Sequence, residues 1–128
     1  MNSIYIGIAG MFGALSRYAV SLVWSPVELG CFPWGTLGCN WLGSLMLGFI
    51  GFAALKRLSA RLRLAVAAGF IGSFTTFSAL TYETMQLMRS GQGFQALSYV
   101  LLSLWGGLLC AWLGARIARL APPGRGSA

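Results

Sequence analysis

Gly69-Phe70-Ile71-Gly72-Ser73-Phe74-Thr75-Thr76-Phe77-Ser78 is the stretch on which the fold turns. It lies within residues 64–82, an uncharged run long enough to cross a membrane, yet its middle is crowded with glycine, hydroxyls and β-branched residues. A straight lipid-facing helix needs none of these. In lipid every backbone polar group must be satisfied inside the protein, so the stretch predicts a broken helix whose freed carbonyls find partners within the fold. Unwound carbonyls at mid-membrane are one way of holding a monovalent cation. The same residues also suit a tight packing face whose hydroxyls bond back to the carbonyl four residues earlier. On the residues alone both readings stand.

Working outward, residues 34–55 and 94–115 are likewise uncharged, and residues 3–24 are apolar apart from Arg17. At about 1.5 Å rise per residue each can cross a hydrocarbon core of about 30 Å. The chain is read as an all-α membrane protein of four transmembrane helices, with spans at about 3–24, 34–55, 64–88 and 94–118 and a broken third helix. Breaks fall at Ser25-Pro26, Phe32-Pro33, the basic stretch Lys56 to Arg63, and Ser90-Gly91-Gln92-Gly93. Residues 121–128, APPGRGSA, are expected to be a disordered tail. Composition agrees: 57% of the 128 residues are hydrophobic and 9% charged, with a mean hydropathy of +0.74. The N-terminus has no basic n-region and no convincing cleavage site, so its apolar stretch reads as a retained first span.

Nine Lys and Arg stand against two acids. There are no basic runs interleaved with stacking aromatics, so these charges read as orientation signals and not as a nucleic-acid surface. Lys56, Arg57, Arg61, Arg63, Arg116, Arg119 and Arg125 fall on one side of the four-span plan, and Arg89 alone on the other with Glu28. Both termini are therefore expected in the cytoplasm. Cys31, Cys39 and Cys110 are an odd count without C-x-x-C spacing, and the chain has no histidine, which argues against a zinc site or a disulfide framework. With no carboxylate pair and no nucleophile beside a base, no enzyme is expected.

Thr36, Asn40 and Ser44 recur at i, i+4 and i+8 and share one face of the second span. Such a stripe faces either neighbouring helices, where small residues such as Gly43 and Gly48 allow close approach, or a hydrated pathway. Arg17 on the first span and Glu83 near the end of the third are charges in or at the edge of lipid, and so functional candidates by default. Tyr99 and Ser103 form a thinner polar face on the fourth span.

Three segments resemble the bacterial fluoride ion channels called Fluc or CrcB: Gly13-Ala14-Leu15-Ser16-Arg17-Tyr18; Gly35-Thr36-Leu37 with Asn40 and Gly43; and Gly69-Phe70-Ile71-Gly72 with Thr75-Thr76-Phe77-Ser78 and Glu83. The resemblance implies an antiparallel dimer in the bacterial inner membrane that lowers cytoplasmic fluoride by passive export. It implies two fluoride pathways and a central structural Na+ that is not transported. It places Asn40 as a hydrogen-bond donor to fluoride and Phe77 as a ring edge, the positive part of the aromatic quadrupole, toward the anion. Gly72 and Thr75 would give backbone carbonyls to sodium. Thr36, Glu83, Tyr99 and Ser103 match a polar track, and Arg17 a basic residue near the vestibule. In one place the chain departs from the family pattern T-T-F-S-T-F, having Leu80 where the second phenylalanine stands. Two other classes compete: a small multidrug-resistance-type exporter, which needs a carboxylate in the first span where this chain has only Arg17, and a non-transporting membrane scaffold, which leaves the Thr-Thr-Phe-Ser break without a purpose.

An antiparallel homodimer requires a chain that inserts both ways, and hence a balanced Lys and Arg distribution. The seven-to-one count is unbalanced. The chain is predicted to insert mainly with both termini cytoplasmic and to pair with an oppositely oriented homologue. Reporters fused at the C-terminus of the chain expressed alone should give a predominantly cytoplasmic signal. Comparable signals from both sides, with flux from the chain purified alone, restore the dual-topology homodimer.

Overall fold

A computed structural model describes residues 2–24, 31–53 and 59–120. Glu28, Lys56, Arg57, Arg125, the Ser25-Pro26 break and the 121–128 tail lie outside the described residues. Those described are helical apart from short connections, with no strand among them: α1 (Asn2–Trp24), α2 (Trp34–Ala53), α3 (Ala60–Leu64), a π-helical segment (Ala65–Ile71), α4 (Gly72–Phe74), α5 (Phe77–Arg89) and α6 (Gly93–Leu120). Three stretches, Ser3–Trp24, Ala60–Arg89 and Gly93–Leu120, are long and apolar enough to cross a membrane. The 20 residues of α2 reach about 30 Å and carry Thr36, Asn40 and Ser44 on an otherwise apolar helix. Their outward faces are covered in exposed Leu, Ile, Phe, Met and Trp, and only 6% of the apolar window of α1 is buried. That distribution belongs to a multi-pass membrane protein, whose solvent is lipid.

The third span begins earlier than its charge pattern suggests. Ser59 caps it, accepting from Leu62 N–H at 3.3 Å, and so draws Arg61 and Arg63 out of the expected connection and onto α3. The far end of this span closes at Arg89 through a Schellman turn. Gln92 N–H bonds Leu87 O at 2.9 Å, Gly91 N–H bonds Met88 O at 3.1 Å, and Gly91 takes a φ of 76°.

Packing depends on glycines that let backbones meet. Along α1, a methyl at Gly13 would overlap the Phe70 carbonyl, and one at Gly69 would meet Ile6 O at 2.5 Å. Along the α2/α6 crossing, methyls at Gly48 and Gly114 would overlap the carbonyls of Ala111 and Leu45. Without a hydrophobic effect between helices in lipid, such close approach is what holds them together. Trp41 lies over Gly106 and donates from Nε1 to Leu102 O at 3.0 Å, fixing the register of α2 on α6. A small core of Leu37, Leu80, Leu87, Ala96 and Tyr99 fills the space between α2, α5 and α6.

Gly13→Ala should therefore destabilise the protein by about 1–3 kcal/mol, the usual cost of overpacking, read as a lower thermal midpoint in detergent. Gly7→Ala, on the same helix with nothing within 4 Å of the new methyl, should leave the midpoint unchanged or slightly raised.

Candidate ion pathway

The helix break sits at Thr75 and Thr76, where the backbone turns extended with ψ of 154° and 128°. Asn40 bridges it. The Thr76 N–H, which in a continuous helix would donate to the Gly72 carbonyl, donates instead to Asn40 Oδ1 at 2.8 Å. Asn40 Nδ2 in turn donates to Thr76 O at 3.0 Å. The Ala79 N–H, which would serve the Thr75 carbonyl, is taken by the Thr76 hydroxyl at 3.3 Å, capping α5. The carbonyls of Gly72, Ser73, Phe74 and Thr75 thus all lack the donors they would have in an unbroken helix. Thr75 itself is held back on the preceding turn, with both its N–H (3.0 Å) and its hydroxyl (2.9 Å) donating to Ile71 O. Break and back-bonding, which the sequence leaves as alternatives, coexist on adjacent residues.

Asn40, Ser44, Thr75, Thr76, Phe77 and Ser103 line one open cavity of about 300 Å³, closed on its apolar side by Leu47, Ile71, Leu80 and Leu104. Phe77 starts α5 and is 77% exposed in the single chain, so its ring stands free at the cavity mouth. Ser103 presents a buried hydroxyl oxygen with no hydrogen-bond partner among the described residues. Other hydroxyls on the spans, at Ser16, Thr81, Thr84 and Ser98, donate to carbonyls four residues back and are spent on their own helices.

One turn away along α2 and α6 lies a second polar cluster. Thr36 Oγ1 donates to Glu83 Oε1 at 2.7 Å, and Tyr99 OH donates to Glu83 Oε2 at 2.6 Å. Tyr99 is fully buried and Thr36 nearly so, and Phe32 meets the Tyr99 ring edge-on at 5.5 Å. The stripe Thr36, Asn40, Ser44 therefore touches the carboxylate cluster, the break and the cavity in turn, over about 12 Å at 1.5 Å per residue. Arg17 is in none of the hydrogen bonds that make up the two levels. Half-buried on α1, it is near enough for its charge to act on Cys39.

The structure thus brings Asn40, Phe77 and Ser103 to one cavity and Thr36, Glu83 and Tyr99 to one cluster. Sequence reasoning missed Thr76 as the backbone partner of Asn40, and Gly43 as the seat for the Thr75 methyl, which a side chain at Gly43 would displace. The signal was the Gly43 spacing, three residues after Asn40 on the polar side of α2. Among the described residues no group of three or more His, Cys, Asp or Glu is placed to hold a metal.

A family profile described as "CrcB-like protein, Camphor Resistance (CrcB)" matches residues 4–115. Similar relatives include "Fluoride-specific ion channel FluC 2" of Geobacillus kaustophilus, 44% identical over 116 residues, covering 89% of this chain and 90% of the relative. A protein of the same name from Moorella thermoacetica is 42% identical over 114 residues, 89% and 93% of the two chains. "Fluoride-specific ion channel FluC" of Chlorobium phaeobacteroides is 41% identical over 119 residues, 91% and 92%.

Proposed function

The chain belongs to the CrcB-like family, and from that premise we propose that it is a subunit of a fluoride-specific channel, not an enzyme, in the inner membrane of a bacterium. The observation that carries this reading is the convergence of Asn40, Phe77 and Ser103 on one cavity beside the helix break. Fluoride is small and strongly hydrated, so a selective path must replace its water with closely set donors. Asn40 has two amide hydrogens, of which Thr76 O takes one. The other is available to the anion, as is the unpartnered Ser103 hydroxyl, while the Phe77 ring edge adds a positive rim without a formal charge. Neutral donors bind weakly enough for the ion to leave. Beyond them the Thr36, Glu83, Tyr99 cluster extends the polar track, and Arg17 supplies positive potential toward a vestibule. Flow is passive, so the electrochemical gradient sets its direction, outward when fluoride accumulates in the cell.

The cavity is open on the Phe77 side and continues into an apolar groove of about 480 Å³ along α5 and α6. An antiparallel second subunit, whether a copy of this chain or an oppositely oriented homologue, would close it. A structural sodium held by the Gly72 and Thr75 carbonyls would then neutralise the break at the centre of the pair. Leu80 is buried in the core beside Leu37 and Tyr99, so each pathway draws one ring from this chain and any second ring from its partner.

Asn40→Asp places a carboxylate beside the ion. At about 4 Å and an effective dielectric of about 20 the repulsion is about 4 kcal/mol, a loss of ~10³ in occupancy. Fluoride efflux from liposomes should fall to background in this variant. Because Asn40→Asp also removes the donor to Thr76 O, Phe77→Leu is the companion: flux should be lost with an unchanged thermal midpoint. Folded variants that pass fluoride at the parent rate would falsify the assignment.

Exchange of sodium for a large inert cation should lower both flux and thermal midpoint, since an ion bound only to the assembled state stabilises that state. Flux indifferent to sodium, with residual sodium verified absent, removes the cation from the scheme.

A further inference from the structure

At the end of the molecule where α1 begins and the third span starts, a separate cavity of about 240 Å³ is lined by Tyr5, Ser59, Arg61, Leu62 and Ala65. It is distinct from the ion pathway: it shares no lining residue with the cavity at the break, and Arg61 and Glu83 stand near opposite ends of the third span. The chain contains two acids, Glu28 and Glu83. Glu83 is at the far end of the third span, and Glu28 lies outside the described residues. Among the described residues the one acid is Glu83, which is therefore not placed to neutralise Arg61, and Arg63 two residues on adds a second positive charge to the same short helix.

Polar and apolar groups are divided across the cavity as they are at a membrane boundary. Ser59 Oγ accepts from Leu62 N–H, which leaves the hydroxyl hydrogen free to donate elsewhere. Tyr5, 53% exposed, and Leu62, 47% exposed, carry the wall toward the lipid side. A tyrosine one turn inside the start of a span, with an arginine at the start of its neighbour, sits at headgroup depth. Basic pockets between spans are suited to anionic headgroups. The apolar wall and the lipid-facing exposure favour a whole lipid over a free anion, which would gain nothing from Leu62 or Ala65.

We propose that this cavity binds an anionic phospholipid, with the headgroup phosphate taken by Arg61 and the Ser59 hydroxyl and the glycerol and first acyl carbons laid against Tyr5, Leu62 and Ala65. The site rests only on the membrane-spanning fold and is independent of which ion the pathway carries, so its failure would leave that reading untouched. The lipid ties the start of α1 to the start of the third span, the pair whose close approach at Gly13 and Gly69 sets the position of the break.

The test is native mass spectrometry of the full chain in its purified assembly, titrated with phosphatidylglycerol or with phosphatidylcholine of the same acyl chains. Phosphatidylglycerol should bind more tightly than phosphatidylcholine, and millimolar inorganic phosphate should not displace it. Arg61→Ala should weaken phosphatidylglycerol binding about fivefold, the loss expected for one basic residue at a lipid surface. Ser59→Ala should weaken it less, and Arg89→Ala, at the opposite end, not at all. Equal binding of the two lipids by the parent protein, which needs no variant to fold, overturns the proposal. Undiminished binding in folded Arg61→Ala overturns it as well, and displacement by inorganic phosphate reassigns the cavity to a free anion.

Discussion

A backbone that leaves the helix inside lipid must find every lost hydrogen bond within the protein, and the rest of this structure is arranged around that requirement at Thr75 and Thr76. Asn40 meets it by acting as a detached turn of helix, accepting from the Thr76 amide and donating to the Thr76 carbonyl. Asn suits this task because its amide carries a donor and an acceptor side by side, matching a peptide group. A Ser offers one donor and is too short; an ionised Asp offers no donor. The same choice leaves one amide hydrogen over, so the group that repairs the break also has something to offer an ion.

Satisfying the break demands that α2 come close to the third span, and the sequence provides for this in small residues. Gly43, one turn beyond Asn40, makes room for the Thr75 methyl, while Gly13 and Gly69 let α1 meet the π-helical segment at backbone distance. In the π-helical segment each turn is wider than in an α-helix, which displaces the following residues around the axis and re-aims the start of the break. Trp41, next to Asn40, fixes the other side of α2 on α6 through Gly106 and the Leu102 carbonyl. Ser103 follows Leu102, so the contact that sets the register of α2 also sets how far Ser103 stands from Asn40.

Much of this was legible in the sequence, and what was not has a physical cause. Long uncharged runs give the spans because lipid excludes charge, and the crowding of Gly and hydroxyls at Gly72 to Ser78 gives the break because such residues are poor occupants of a straight apolar helix. The stripe Thr36, Asn40, Ser44 reads as one face from its spacing, and the structure puts all three against the third span and α6. The third helix begins ahead of the uncharged run because the Ser59 cap, and not the charge pattern, sets its first turn, and an arginine at a helix end can extend to the interface. The π-helical segment left no trace in periodicity, since its seven residues, Ala65–Ile71, are apolar or glycine throughout. Thr76 as the partner of Asn40 was hidden for a different reason: its contribution is its backbone, and side-chain chemistry does not announce that.

The two polar levels differ in a way that bears on how an ion would move. At the Glu83 level both carboxylate oxygens already accept, from Thr36 and from Tyr99, so the acid is engaged by two strong donors. At the Asn40 level the Ser103 hydroxyl has no partner among the described residues. On the proposed reading, an anion entering the cavity would give that hydroxyl a partner without any fixed positive charge. To pass on by the proposed route, it would have to compete with Glu83 for the donors of Thr36 and Tyr99. Swinging Glu83 aside would free two hydroxyls at once, and donors shared in this way between a carboxylate and a passing anion would bind the ion weakly enough to release it.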